Sequence, residues 1–467
     1  MTSDVMTAPK TQTSQLFEIR NPYDNTVVGM LPETTAAGIS RSVEAAQQAA
    51  AEFRLSTPHE RRQLLNAIAA LMKRDAEALA QMVCAEMGKT ITEARNEIRR
   101  AQNTLLLSGD AATFLDGEVL HCGIVDGGVD RQAVVTYVAT GVVAAITPFN
   151  YPVNLLCHKL GPALAAGNAV VVKPSPKAPL AAQMLIDLCQ EAGAPAGLIS
   201  CVHGGAEAAV SLVRAPIDLL SFTGGPGAGL ALKQASGLVR CLMELGGNDP
   251  LFVMPDADID AAAATAVGHR YEIAGQSCAA VKKLYVHQSV AAEFTDCLVA
   301  KVQGVTTGDP SDPDTVMGPV IDEPAAAEVQ ARITEACAKG ASLLRGGHTK
   351  GAQFQPVVME NVSPESKLMR EETFGPVLAM RSFTDLDAAV KEINASGFGL
   401  QAGIFTNDHA RIRALSRTLQ VGGIMVNEGP DFRAEHVPFG GIKKSGLGRE
   451  GVRIATREMS ETKVVID

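Results

Sequence analysis

The feature that most constrains this chain is a series of short apolar runs, each of which stops at Gly, Pro or Asn. Four such runs follow one another between residues 141 and 225: GVVAAITPFN, GNAVVVKPS, LISCVHGG and IDLLSFTGG. Helix-like stretches such as LAAQMLIDLCQEAG separate them. Strands that are buried on both faces are continuously apolar, and strand–loop–helix–strand order is typical of a parallel sheet. The sequence therefore predicts an α/β fold with a doubly wound parallel sheet.

The rest of the chain contains three further kinds of sequence pattern. A second α/β series follows Gly247, with strand-like LYVHQSV, FGPVLAMRSF and QAGIFTND and helix-like AAEFTDCLVAKVQGV and LDAAVKEIN. Residues 36–116 carry apolar side chains at three- and four-residue spacing, which predicts amphipathic helices. RQAVVTYVA and the terminal ETKVVID are β-prone but fit neither series, and they predict a separate ribbon.

Composition excludes several classes of function. The formal net charge of −10 gives no electrostatic reason to expect nucleic acid or an anionic membrane surface as a partner. No run approaches eighteen apolar residues, and the N-terminus lacks a basic region followed by an apolar one, so we expect a cytoplasmic protein. The nine cysteines are scattered without metal-ligand spacing. We expect neither a disulfide scaffold nor a metal site.

Open parallel sheets bind ligands beyond the carboxyl ends of their strands, so the residues that end each apolar run are candidates for function. These residues are Asn150, Lys173, the glycines of SFTGGPGAG and Glu244. Glycines between a strand and a helix let the backbone approach a pyrophosphate, although a flexible turn has the same composition. Glu244 lies where a dinucleotide fingerprint would put its ribose-binding acid. On spacing alone, ribose binding and catalysis both remain open for it.

Seven segments together resemble the motifs of one family, in the family's order. TPFNYP, GNAVVVKPS, SFTGG, ELGGNDP, GQSC, EETFGP and PFGGIKKSGLGREG closely resemble the motifs of the aldehyde dehydrogenase superfamily. The resemblance extends from about Phe17 over nearly the whole chain. It implies oxidation of a small-molecule aldehyde to an acid with NAD or NADP as cofactor.

The resemblance assigns catalytic roles to three residues. Cys278, which in isolation would more often be a small packing residue, matches the family's nucleophile. Glu244 matches the general base, and Asn150 matches the side chain that forms an oxyanion hole with the backbone N–H of Cys278. The chemistry requires these types, because a thiolate adds to the aldehyde, an amide stabilises the alkoxide and a carboxylate activates the water that cleaves the thioester.

The resemblance also implies a cofactor site. Its expected residues are Lys173, Ser175, Pro148, Phe149, Gly224, Gly225, Gly229, Leu245, Glu372 and Phe374. Two positions depart from many relatives: Pro176 replaces a ribose-binding glutamate, and Gly225 replaces a serine. Loss of that acid relieves repulsion of a 2′-phosphate, and the neighbouring Lys177 could attract one. NAD and NADP therefore both remain open.

The substrate end is less well defined by the sequence. Aromatic residues make up 4% of the chain, which disfavours a bulky hydrophobic substrate. The candidate substrate-binding residues are Arg433, His158, Tyr151, Ser277 and Arg270. An arginine in a small polar pocket suits a carboxylate, phosphate, phosphonate or sulfonate. The alternative is that Arg433 makes only a salt bridge within its loop, in which case a neutral hydroxyaldehyde of the lactaldehyde type is the expected substrate.

Three rival functions are weighed against aldehyde oxidation. A relative that transfers the acyl group to CoA commonly lacks the glutamate found at Glu244, and a non-catalytic relative would lose Cys278, Glu244 or Asn150. A cysteine hydrolase would need no dinucleotide site. The presence of all three residues and of the cofactor motifs favours a hydrolytic dehydrogenase.

The resemblance completes the domain assignment. We expect a tail (1–16), a dinucleotide-binding domain (17–121 and 140–247), a catalytic domain (248–448) and an oligomerisation ribbon (122–139 and 449–467). In relatives this ribbon extends the sheet of a neighbouring subunit. A homodimer or homotetramer is therefore expected.

Overall fold

The computed structural model describes residues 15–467, and the predicted tail lies outside this range as far as residue 14. The described residues form two large sheets, one ribbon and one small hairpin. The strands are β1 (Leu16–Arg20), β2 (Val27–Pro32), β3 (Glu118–His121), β4 (Gln132–Ala139), β5 (Val142–Ile146), β6 (Ala169–Lys173), β7 (Ile199–Cys201), β8 (Leu219–Gly224), β9 (Arg240–Leu245), β10 (Pro250–Val253), β11 (Lys283–His287), β12 (Ser342–Lys350), β13 (Gln353–Glu360), β14 (Val377–Phe383), β15 (Gln401–Phe405), β16 (Gly423–Val426), β17 (Gly446–Leu447) and β18 (Ser460–Ile466).

Helices cover the sheets and form the N-terminal part of the fold. They are α1 (Ala36–Phe53), α2 (Pro58–Arg74), α3 (Ala76–Met87), α4 (Ile91–Ala111), α5 (Asn154–Ala166), α6 (Leu180–Glu191), α7 (Ala206–Arg214), α8 (Pro226–Ala235), α9 (Ile259–Tyr271), α10 (Ala291–Val302), α11 (Glu323–Ala338), α12 (Lys367–Arg370), α13 (Leu386–Ala395), α14 (His409–Thr418) and α15 (Val452–Glu458). Helices α2 and α4 each begin with a capping box, in which Thr57 or Thr90 exchanges hydrogen bonds with the glutamate three residues later. The predicted amphipathic helices of residues 36–116 are α1 to α4.

The first large sheet contains the four apolar runs that the sequence singles out. Its strand order is β17-β9-β8-β5-β6-β7, and all neighbours are parallel except β17 and β9. Every residue of β5 and β6 is buried, as expected for central strands with helices on both faces. Lys173 pairs with Ile146 and Glu244 pairs with Thr223, so the carboxyl ends of these strands lie at one edge.

The second large sheet is built from the residues after Gly247. Its order is β12-β13-β14-β11-β10-β15-β16, with only the β12–β13 pair antiparallel. A hydrophobic core that includes Phe252, Tyr285 and Phe294 packs around it. The chain then returns to the first sheet, where Gly446 of β17 pairs with Glu244 of β9. The segment PFGGIKKSGLGREG is thereby placed against the strand that carries Glu244.

The ribbon is a three-stranded antiparallel sheet in the order β18-β4-β3. It begins at Glu118 rather than at residue 122, and residues 452–458 of its predicted C-terminal part form helix α15. All four side chains of β3 are exposed, so this strand lacks the alternation of buried and exposed residues that reveals a strand in a sequence. Within residues 15–467, no helix combines the length and the apolar character needed to span a bilayer.

Candidate active site

Cys278 follows a strained turn that connects α9 to β11. Ile273 and Ala274 have φ values of 43° and 52°, in the left-handed region that a β-branched residue rarely enters. Gly275 continues this conformation, and a Cβ atom there would lie 2.4 Å from the carbonyl oxygen of Gly375. Such backbone is retained where the surrounding structure holds it in place, and it is concentrated at functional sites. The turn presents Cys278 to a large cavity.

The surroundings of Cys278 keep its thiol protonated in this state. Burial raises its pKa well above the ordinary range, and the nearby negative charges of Glu244 and Asp431 raise it further. The ammonium of Lys282 acts in the opposite direction. Its Nζ donates hydrogen bonds to the carbonyl oxygens of Ser277 at 2.8 Å and Cys278 at 2.5 Å. Lys282 therefore anchors the turn and places a positive charge beside it.

Asn150 lies just beyond β5 and faces the same cavity. Its side-chain Nδ2 donates to the carbonyl oxygen of Gln276 at 2.9 Å. Because an amide nitrogen carries two hydrogens, the second remains available to a ligand. The backbone N–H of Cys278 donates to no backbone carbonyl in the described part of the chain. Together these two donors can stabilise an alkoxide that forms next to the sulfur.

Glu244 occupies the penultimate position of β9 and is 3% exposed. Burial raises its pKa well above the ordinary carboxyl range, and repulsion from Glu450 adds to the rise. The positive charges of Arg433 and Lys159 act in the opposite direction. A carboxyl group whose pKa is shifted towards neutrality, beside a nucleophilic sulfur, is suited to accept a proton from water.

A cavity of about 600 Å³ joins the carboxyl edge of the first sheet to Cys278. All three predicted catalytic residues line it, together with nine of the ten predicted cofactor residues. These nine are Pro148, Phe149, Lys173, Ser175, Gly224, Gly225, Leu245, Glu372 and Phe374. Gly229 lies behind the wall instead, where a Cβ atom would come within 2.6 Å of the Leu245 side chain. It permits α8 to pack closely on β9.

The walls of this cavity fit a dinucleotide. Gly225 precedes α8 without a side-chain cap, and a Cβ atom built on it would meet nothing within 4 Å, so the first N–H groups of the helix are open to a phosphate. Glu372 accepts a hydrogen bond from Gly247 N, and Phe149 and Phe374 contact each other edge to face at 5.9 Å. An acid can bind the hydroxyl groups of a ribose, free N–H groups can bind a pyrophosphate, and aromatic rings can pack against a nicotinamide ring.

The predicted substrate-binding residue His158 belongs to a buried network that links it to Arg100 through Glu435. We call this network, together with the neighbouring Arg433–Glu450 pair, the substrate side of the site. The Nε2 of His158 lies 2.6 Å from Glu435 Oε2, and Arg100 Nε donates to Glu435 Oε1 at 2.7 Å. Burial, followed by the charge of Arg433, lowers the His158 pKa, so this imidazole is neutral and donates through Nε2. The Arg100 side chain is 25% exposed, and its terminal nitrogens are not used by Glu435.

Arg433 makes the salt bridge that was its alternative interpretation. Its NH2 donates to Glu450 Oε2 at 2.8 Å, and Lys159 donates to the other oxygen of the same carboxylate at 2.9 Å. The guanidinium also stacks on the ring of Phe439, with its central carbon 4.3 Å from the ring centroid. One nitrogen and one face of the Arg433 guanidinium are therefore engaged by groups of the protein itself, while its Nε has no hydrogen-bond partner within residues 15–467.

Of the other predicted substrate residues, two lie at the site and one does not. Tyr151 donates to Glu272 at 3.2 Å, and Ser277, next to Cys278, donates to Asp431 Oδ1 at 2.8 Å. Arg270 is completely buried and donates to the carbonyl oxygens of Thr373 and Gly375. It supports the segment that carries Phe374 and is not directed at the substrate side.

Several residues of the site are not among the sequence candidates. They are Arg100, Lys159, Asp431, Glu435 and Glu450, together with Lys282. Arg100 and Glu435 are separated by 335 positions, and no local pattern indicates that they pair. Lys282 lies in the same short segment as Cys278, so its closeness to the thiol could have been noticed. In residues 15–467, no cluster of three or more His, Cys, Asp or Glu side chains is arranged to hold a metal ion.

Comparison with known proteins decides the family. The profile described as Aldehyde dehydrogenase family matches residues 8–465. The chain belongs to this family. It is 39% identical to the sulfoacetaldehyde dehydrogenase of Neptuniibacter caesariensis, over 97% of this chain and 100% of the relative. It is 38% identical to aspartate-semialdehyde dehydrogenase 1 of Pseudomonas canavaninivorans, over 96% of each chain.

A solved aldehyde dehydrogenase structure has the same fold. The NADP-dependent glyceraldehyde-3-phosphate dehydrogenase of Bacillus halodurans C-125, complexed with NADP, superposes with a TM-score of 0.95 at 34% identity. The match covers 97% of this chain and 96% of that one. The predicted fold class and family are confirmed, and the protein is an aldehyde dehydrogenase that uses NAD or NADP.

Proposed function

We propose that this aldehyde dehydrogenase oxidises a small aldehyde that carries an anionic group to the corresponding acid, with Cys278, Asn150 and Glu244 as its catalytic residues. The observation that carries the proposal is that these three side chains line one cavity with Glu372 and Phe374. A thiol, an amide and a carboxyl group that share one cavity with the predicted cofactor residues support the roles of nucleophile, oxyanion donor and base.

In the first half of the reaction, the Cys278 thiol gives its proton to the neighbouring Glu244 carboxylate, and the resulting thiolate attacks the carbonyl carbon. Glu244 releases this proton to solvent before the thioester is hydrolysed. The carbonyl electron pair moves to oxygen, where Asn150 Nδ2–H and the backbone N–H of Cys278 stabilise the negative charge. Bound NAD(P)⁺ supplies the two-electron acceptor for the hydride that leaves this carbon. Collapse of the alkoxide restores the C=O bond and leaves a thioester on Cys278.

In the second half, Glu244 accepts a proton from a water molecule that attacks the thioester carbon. The carbon–sulfur bond breaks, the thiolate of Cys278 is regenerated and the carboxylic acid is released. This role requires Glu244 to be ionised when it meets the water, and the raised pKa makes its carboxylate a stronger base than an exposed one.

Arg100 supports the anionic part of the proposal. It is partly exposed, and Glu435 uses only its Nε, which leaves the terminal nitrogens for a carboxylate, sulfonate or phosphate. The similar proteins named above act on aldehydes with a sulfonate, a carboxylate or a phosphate. Arg433, the arginine predicted for this role, is held by Glu450 and Phe439.

The test measures initial rates of nicotinamide reduction with paired aldehydes, each with NAD⁺ and with NADP⁺. Sulfoacetaldehyde, succinate semialdehyde and glyceraldehyde 3-phosphate represent anionic substrates, and propanal and lactaldehyde represent neutral ones. We expect kcat/KM to be at least about tenfold higher for one or more of the anionic aldehydes, the minimum effect of one charge-assisted hydrogen bond. A preference for lactaldehyde over all of them would favour the neutral hydroxyaldehyde alternative.

We also propose that the ribbon joins copies of the chain into a homodimer or homotetramer and that the enzyme works in the reducing cytoplasm. Val464, Val465 and Ile466 of β18 and Val134 of β4 are exposed apolar residues on this ribbon. All nine cysteines are unpaired, as a thiol nucleophile requires. Light scattering of the full chain and of a variant with Val464 and Ile466 changed to Lys tests the assembly, which should be smaller in the variant.

A further inference from the structure

Asp431 places a carboxylate beside the catalytic cysteine. It lies in the loop of residues 427–439, where its Oδ1 accepts a hydrogen bond from Ser277, the residue before Cys278. Its other oxygen, Oδ2, is buried and has no hydrogen-bond partner in the described part of the chain. A buried carboxylate oxygen without a donor is unusual, since such atoms are nearly always satisfied in folded proteins.

The charge of Asp431 acts on the space where the substrate must lie. After burial and Glu244, it is the next contribution that raises the pKa of Cys278. It also raises the pKa values of Tyr151 and Arg100, behind the larger effects of burial and other neighbours. Asp431 is thus close to the nucleophile, the tyrosine and the arginine of the substrate side at once. No ion pair connects it to Arg100 anywhere in residues 15–467.

For an aldehyde without further polar groups, this carboxylate is a disadvantage. A negative charge near the sulfur disfavours the thiolate and the alkoxide that follows it, because both are anions. It would also repel an anionic head group unless that group is held farther away by Arg100. An asparagine could bind Ser277 equally well without these costs. The presence of a carboxylate at this position is explained if the substrate brings a hydrogen-bond donor to it.

We propose that Asp431 Oδ2 accepts a hydrogen bond from a hydroxyl or ammonium group of the substrate near its aldehyde carbon. Asp431 is then a specificity-determining residue that selects aldehydes with such a donor. This inference rests on the proposed aldehyde oxidation. Combined with Arg100, it predicts that preferred substrates carry a donor close to the aldehyde and an anion at the far end.

Two substrate pairs test the proposal, because the members of each pair differ only by the donor. Lactaldehyde and propanal differ by a hydroxyl, and aspartate semialdehyde and succinate semialdehyde differ by an ammonium. For the wild-type enzyme we expect kcat/KM to favour the donor-bearing member of at least one pair by about 10- to 100-fold, the range of a hydrogen bond to a charged group. A preference in one pair alone identifies the donor.

The variant Asp431→Asn separates recognition from mere support of the turn. The amide oxygen of the variant can accept the hydrogen bond of Ser277, while its NH₂ group faces the substrate. The ratio of kcat/KM between donor-bearing and donor-free aldehydes should therefore fall at least tenfold. The kcat/KM values for propanal and succinate semialdehyde should fall much less. Glu428→Gln is the matched control, an acid-to-amide change in the same loop, at a residue that is 3.4 Å from His269. It should leave both ratios unchanged.

Two results would overturn the proposal. One is an equal fall in kcat/KM for both members of each pair in Asp431→Asn, which would mean that Asp431 only shapes the turn. The other is a wild-type enzyme that shows no preference in either pair, oxidising propanal as well as lactaldehyde and succinate semialdehyde as well as aspartate semialdehyde. Calorimetric binding of lactaldehyde and propanal to Cys278→Ala, with and without Asp431→Asn, measures the same preference without turnover. Failure of oxidation is thereby distinguished from failure of recognition.

Discussion

The two sides of the active site are built in different ways. The cofactor side consists largely of strand ends of the first sheet, glycines and apolar side chains, with Lys173, Glu328, Arg332 and Glu372 as its charged groups. On the substrate side, buried ionic groups from distant parts of the chain are joined in pairs, such as Arg100 with Glu435 and Arg433 with Glu450. One side is shaped mainly by backbone geometry and the other by charge pairing, so mutations should affect them differently.

The largest effect is expected from Cys278→Ala, which should remove the chemical step and leave cofactor binding almost unchanged. Cys278→Ala should reduce aldehyde oxidation by at least about 10⁴-fold, because no other group can form the thioester. Binding of NAD⁺ or NADP⁺, followed by fluorescence or calorimetry, should change less than threefold. Cys337→Ala, at an exposed cysteine, is the control and should keep full activity. Measurable turnover by the alanine variant would contradict the assignment of Cys278.

Glu244→Gln tests the second half of the reaction. We expect hydrolysis of the thioester to slow by about 10²- to 10⁴-fold, while the first turnover still releases a burst of reduced cofactor. Because burial raises the Glu244 pKa, its base form accumulates only as the pH rises above the ordinary carboxyl range. Turnover should therefore increase with pH in the wild type and lose this dependence in the variant. A rapid-quench experiment without a burst would contradict this role.

The contrast between the two sides also describes what a sequence can predict. Parallel strands bring their carboxyl ends to one edge, so the sequence alone predicts that Asn150, Lys173 and Glu244 lie close together. Of the nine predicted cofactor residues that line the cavity, seven lie at or just after the ends of β5, β6, β8 and β9 for this reason, whereas Glu372 and Phe374 precede β14 and were implied by the family resemblance. Gly229 could not be distinguished, since glycines that contact a ligand and glycines that allow helix packing look alike in a sequence.

The charge network of the substrate side could not be predicted in this way. Arg433 is a candidate because it is an arginine close to the motif PFGGIKKSGLGREG, and its partner Glu450 follows seventeen positions later in a turn with no periodic pattern. Arg100 lies in one of the predicted amphipathic helices, where a charged residue is usually solvated, so the pattern gives no reason to single it out. Its partner Glu435 is supplied by a loop at the other end of the chain. Pairing of buried charges depends on the tertiary fold alone.

Glu435→Gln should destabilise the charge network of the substrate side without changing the cofactor side. Burial alone would raise the Glu435 pKa, but hydrogen bonding by His158 and the charge of Arg100 lower it to about 2. A carboxylate with a lowered pKa stabilises the fold above its ordinary pKa, and this contribution is lost as the pH falls from about 4.5 towards 2. We expect the variant to lose about 3 kcal/mol of unfolding free energy at pH 7, since it leaves Arg100 partly buried without its counter-charge.

Urea denaturation of wild type and Glu435→Gln at pH 7 and pH 3.5 measures this difference, which should shrink at the lower pH. Glu461→Gln is a matched control, because this glutamate makes a half-exposed ion pair with Arg240. It should cost less than about 1 kcal/mol. Equal losses at the two pH values would show that the charge of Glu435 is not what stabilises the network.

Two arginines sharpen the comparison within the substrate side. Arg100→Gln should lower kcat/KM about 10- to 100-fold for anionic aldehydes and much less for propanal, because it removes a free guanidinium edge. Arg433→Gln should lower kcat/KM for anionic aldehydes and for propanal to the same extent, because this arginine is bound to Glu450. Steady-state kinetics with sulfoacetaldehyde and propanal measure the two ratios. The opposite pattern would restore Arg433 as the residue that binds the anion.

The smallest effect is expected on the cofactor side, from Gly225→Ser. This position precedes α8 in an extended conformation with φ −67° and ψ 148°, and a Cβ atom there meets nothing within 4 Å. Serine can therefore enter without displacing its neighbours, and at a helix N-cap it is a few tenths of a kcal/mol better than glycine. Its oxygen can accept a hydrogen bond from the first turn of α8 while its hydrogen is donated to a phosphate of the cofactor. We expect the KM for NAD⁺ or NADP⁺ to fall no more than about threefold, with kcat unchanged. A larger gain would mean that the cofactor side, like the substrate side, depends on individual polar contacts rather than on the shape of its backbone.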